Sequence, residues 1–73
     1  MNDTVEMARE RLEREDSHFQ ALKSKHQEFE RRLEELRSRR WLSAEEQLEE
    51  GRVKKLKLAV RDEMEAMVRK ASS

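Results

Sequence analysis

The chain has 73 residues, 47% of them charged and 34% hydrophobic, and its seventeen Lys plus Arg balance seventeen Asp plus Glu. That length fits one helical domain, residues 1–73, near the lower limit of what a single core can hold. A formal net charge of zero gives no global pull toward nucleic acid or anionic lipid, and the lack of cysteine excludes a disulfide framework, a thiolate nucleophile and a Cys-rich zinc site.

Proline is absent and Gly51 is the one glycine, so the tight turns of a sheet have little to form from. Ala, Leu, Glu, Lys, Arg, Gln and Met dominate, and these lose least on entering a helix. The expected fold class is all-α. In chain order, Val5, Ala8 and Leu12 step by three and four, which places a short helical segment over residues 1–15. Phe19, Leu22, His26, Phe29, Leu33 and Leu36 continue as an a/d stripe. Glu15 stands where the two stretches would join. Asp16 or Ser17, with Ser17-x-x-Gln20 at capping-box spacing, signals a helix start. The stripe is either one long helix or broken near Asp16, and we read a break. The first long helix is expected over 17–40, where Arg37, Arg39 and Arg40 suit a helix C-terminus.

Ser43-x-x-Glu46 is a second capping box, and it opens a helix over 44–70. That helix carries Leu48, Val53, Leu56, Val60, Met64, Met67 and Ala71, with phase slips near Leu48–Val53 and Val60–Met64. So short a connection at Trp41–Ser43 suits antiparallel neighbours, and residues whose numbers sum to about 84 then come level. Three blocks of opposite charge support that register: Glu45, Glu46 and Glu49 with Arg37, Arg39 and Arg40; Lys54, Lys55 and Lys57 with Glu28 and Glu30; Asp62, Glu63 and Glu65 with Lys23 and Lys25. The expected architecture is an antiparallel hairpin of two long helices that self-associates into a bundle.

The motifs Phe19-x-x-Leu22-x-x-x-His26, with the dipeptide Lys25-His26, and Val53-Lys54-Lys55-Leu56-Lys57-Leu58-x-x-x-Asp62-Glu63 resemble those of the YdcH-like family of small bacterial proteins. The resemblance runs from about Leu12 to Lys70. It departs at Val53 and Val60, where leucine is usual, at Arg61 for lysine, and at Ser17 for a frequent proline. It implies a helical hairpin and no known reaction.

For chemistry there is little material. No nucleophile stands near a base, and there is no glycine-rich phosphate loop or metal-ligand cluster. No enzyme, cofactor or metal site is expected. His26 reads as a half-buried histidine satisfied across the seam by Glu63 or Asp62, in preference to a metal ligand or pH switch. Arg52, Lys54, Lys55, Lys57 and Arg61 form a basic run without interleaved aromatics. It reads as a solvated face paired with acids opposite, in preference to a nucleic-acid patch. Trp41 reads as a cap on the hairpin core with Leu42 and Leu48, ahead of a binding anchor. Met64 and Met67 read as core filler.

Two apolar stripes pressed together leave flanking apolar surface. The expected role is therefore a non-catalytic interaction or assembly module, acting through Phe19, Leu22, His26, Phe29, Leu33, Trp41, Leu56, Val60, Met64 and Met67. Its expected partner is a second copy or another helical protein, with nucleic acid as the alternative. Met1-Asn2-Asp3-Thr4 opens no signal peptide, and no stretch approaches the roughly 20 apolar residues of a membrane span. A cytoplasmic address without a membrane partner is the expectation.

Overall fold

The computed structural model describes the backbone of residues 2–72 and the side chains of residues 4–72. The ends of the expected 1–73 unit, Met1 and Ser73, lie outside the described residues. Three helices follow one another: α1 (Asn2–Glu15), α2 (Ser17–Arg37) and α3 (Ala44–Ser72). Together they form a rod 45 Å long and 19 by 17 Å across. Among the described residues there is no strand.

The break falls at Asp16, whose extended backbone and side chain cap α2. Its carboxylate accepts from the Phe19 N–H at 2.8 Å. This satisfies one of the donors that a helix start leaves open. Gln20 does not complete the expected capping box with Ser17. Its amide donates backwards to the Glu13 carbonyl at 2.9 Å and so ties α2 to the end of α1. Glu13 also meets Lys23 at 3.3 Å. The box at α3 forms in full: Glu46 N–H donates to Ser43 Oγ at 3.1 Å, and Ser43 N–H donates to Glu46 Oε1 at 3.0 Å.

α2 ends at Arg37, earlier than the expected Arg40. Leu36 is its last buried residue, so a further turn would bury nothing. The Ser38 hydroxyl donates to the Glu35 carbonyl at 2.7 Å, a local bond that competes with helix continuation. α3 runs two residues beyond the expected Lys70, to Ser72.

α2 and α3 pack along each other. Arg39 on the connection pairs with Glu46, and ion pairs join α2 to α3 at Arg37–Glu50, 3.8 Å, Arg32–Glu49, 2.6 Å, Lys57–Glu30, 3.2 Å, and His18–Glu63, 2.7 Å. All lie within one helical turn of the expected register. The third charge block is corrected. Glu63 takes His18, Lys23 takes Glu13 on α1, and Glu65 takes Arg61 on its own helix at 3.2 Å. The arrival of α1 beside Lys23 is the reason, since it supplies a nearer carboxylate.

The core differs along the rod. At one end Ala8 of α1, Phe19 of α2 and Val68 of α3 are buried together, with Leu12, Met64, Met67 and Ala71 packed around them. Elsewhere Leu22, Leu33, Leu36 and Val53 are buried. Val68 was not in the expected stripe, although it lies one turn beyond Met64. Two apolar residues fall off the core. Leu48 stands five residues before Val53, about 140° away around the helix, and is exposed. Leu56 sits about 60° from Val53, on the rim of the seam, and is 45% exposed. Both were expected inside.

Gly51 lies within α3 with an ordinary helical backbone, and a Cβ there would meet nothing within 4 Å. Gly51→Ala should therefore stabilise the chain by about 0.5–1 kcal/mol and raise Tm by roughly 2–8 °C. Calorimetry or a circular dichroism melt showing an unchanged or lower Tm would contradict this.

Candidate functional site

The residues proposed for interaction divide by position. Phe19, Leu22 and Leu33 are buried within the chain, and His26, Phe29, Val60, Met64 and Met67 are half-buried. These side chains fill the packing between the helices. Leu56 and Trp41 are exposed, and Trp41 is 84% so. The capping role assigned to Trp41 is corrected. α2 stops at Arg37, so the connection carries the indole past the end of the seam. Leu42 is half-buried and Leu48 is 68% exposed, so no cap assembles. The exposed large apolar side chains are Val5 and Met7 on α1, Trp41 on the connection, and Leu48, Leu56 and Leu58 on α3.

The ions of the basic run are unequal. Lys57 holds Glu30 and Arg61 holds Glu65. Lys54 and Lys55 are exposed and carry no ion pair among the described residues. Among the described residues, Lys57 alone of the run pairs with an acid on the facing helix, because Arg61 turns to Glu65 on α3 itself.

The best-formed polar link between α2 and α3 is Arg32 with Glu49. The guanidinium donates through Nε at 2.6 Å and Nη2 at 2.8 Å to the two carboxylate oxygens. Such two-pronged geometry is the strong form of this contact. The hydrogen bond from Arg32 holds the Glu49 carboxyl below the ordinary carboxylate range, helped by the charges of Arg32, Arg39 and Arg52. The bond to Glu49 raises Arg32 in turn. Because the folded carboxyl is depressed, the unfolded chain takes up the proton first as pH falls. The pair's contribution is present above about pH 4.3 and is lost as pH drops through the folded value. The gap in urea midpoint between the native chain and Glu49→Gln should therefore be widest near neutrality and shrink in acid. A gap that is constant with pH would contradict this.

His26 does not meet Glu63 or Asp62. Glu63 is taken by His18, on the rim two turns earlier in α2. The periodicity that placed His26 on the seam holds no information about which of the two histidines reaches that carboxylate. The His26 side chain makes no hydrogen bond to a described residue. It lines a cleft of about 190 Å³ with Arg9, Arg61, Met64 and Glu65. Among the described residues no three His, Asp or Glu side chains converge as a metal site. No helix among them is long and apolar enough to cross a membrane.

A family model described as "Protein of unknown function (DUF465)" matches residues 19–68, which span most of α2, the connection and most of α3. No curated protein and no solved structure matches the chain.

Proposed function

The chain belongs to the DUF465 family, whose function is unknown, and we propose that it acts as an antiparallel helical hairpin of non-catalytic kind, an assembly module that docks on a second copy of itself. The named contacts of α1 fall on residues 19–26 of α2 and 61–71 of α3. Beyond them the rod is two helices thick. One observation carries the reading: besides Val5 and Met7 on α1, the most exposed apolar side chains are Trp41, Leu48 and Leu58, 54–84% exposed, on the connection and the first half of α3, with Leu48 and Leu58 about 80° apart around that helix. Exposed apolar side chains gathered on one part of a small soluble chain mark an association surface, and two thin hairpins gain a thicker core by pairing. The YdcH-like motifs are consistent with a hairpin and add no reaction, and a cytoplasmic address fits the same reading. Light scattering on Leu48→Glu/Leu58→Glu should give half the mass of the native chain with helicity retained. Equal masses would remove this surface from the account.

A second reading rests on Lys54 and Lys55, exposed and without ion pairs: the basic run binds a nucleic-acid backbone. Gel retardation that weakens steeply with salt, and disappears in Lys54→Glu/Lys55→Glu, would support it over the first.

A further inference from the structure

Three helices each send one nitrogen-bearing side chain to the cleft beside Met64: Arg9 from α1, His26 from α2 and Arg61 from α3. Arg9 and His26 have no hydrogen-bond or ionic partner among the described residues. Arg61 uses only Nε, toward Glu65 Oε1 at 3.2 Å, so its terminal nitrogens remain available. Glu65 also lines the cleft, and it offsets Arg61 while leaving Arg9 as the surplus cation. A half-buried imidazole can present one N–H in either tautomer. Guanidinium groups match the oxygens of phosphate and carboxylate. The space of about 190 Å³ is several times the roughly 30 Å³ of a water molecule.

We propose that the Arg9–His26–Arg61 cleft is an oxyanion site, taking a phosphate or carboxylate group between the three helices. The bound group supplies acceptors to donors that otherwise face water, and it ties α1 to the α2–α3 pair. With Glu65 on the wall, affinity for the bare ion is modest.

The test is an NMR titration of the ¹⁵N-labelled full chain with sodium phosphate, and separately with sodium acetate, at ionic strength fixed by sodium chloride. At least one of the two anions should give saturable shifts clustered at Arg9, His26 and Arg61. Saturation by phosphate alone, acetate alone or both assigns the source of the oxygens. Arg9→Gln and Arg61→Gln change exposed side chains, and each should weaken binding about tenfold or more while the spectrum stays folded. Lys54→Gln/Lys55→Gln, away from the cleft, should leave it unchanged. Shifts that never saturate, that chloride reproduces, or that persist at full strength in Arg9→Gln overturn the site.

Discussion

Phe19→Ala should cost about 3–5 kcal/mol and leave most of the chain unfolded at physiological temperature. Phe19 is wholly buried and joins Ala8 and Val68 in the cluster where all three helices meet. The substitution removes the largest side chain of that cluster, and neighbours such as Ala8, Val68 and Ala71 are too short to close the gap. A single core in a chain this short rarely supplies more than about 3–5 kcal/mol, so the loss is comparable to the whole. Urea unfolding followed by circular dichroism checks the size of the effect. Hydrogen exchange checks its location, because α1 should lose protection first. A loss below about 1 kcal/mol, or α1 protection equal to that of the native chain, would contradict the three-helix cluster.

Leu33→Ala should cost about 2–5 kcal/mol at the other part of the rod. Leu33 is also wholly buried, but here only α2 and α3 are at hand to relax into the space. The ion pairs on either side of it, Arg32–Glu49 and Lys57–Glu30, are partly exposed and worth little by comparison. They set register and do not replace the lost packing. The proposed pairing with a second copy adds a dependence of the urea midpoint on protein concentration. Denaturation at two protein concentrations reads both effects. A cost under about 1 kcal/mol would mean that Leu33 is not held between the helices.

The parts of this molecule legible in the sequence are those set by strictly local chemistry. The break at Asp16, the full Ser43–Glu46 box and the all-helical composition each depend on a few adjacent residues, and each is present. Phe19, Leu22, Leu33 and Leu36 lie on a stripe that advances by threes and fours through His26 and Phe29, and they are buried, because periodicity reports directly which side of a helix is apolar. Misreadings arose where one helix had to be phased against two others. The five-residue step from Leu48 to Val53 leaves only one of them facing inward, and the stripe alone does not say which. Trp41 looked like a cap because α2 was expected to reach Arg40; ending at Arg37 places it beyond the seam. The charge blocks held no sign of α1, whose Glu13 takes Lys23 and whose Arg9 comes beside His26. A neighbour folded in from a separate segment leaves no mark in the pattern of the helices it meets. The Arg9–His26–Arg61 cleft was invisible for that reason.

Sedimentation equilibrium of the native chain, from one to about a hundred micromolar (a range bracketing micromolar affinity), tests the central claim most directly. The account predicts a reversible rise toward twice the chain mass, with the buried tryptophan emission of a dimer replacing that of an exposed indole. A single chain mass at every concentration, with full helicity and cooperative melting, would contradict it.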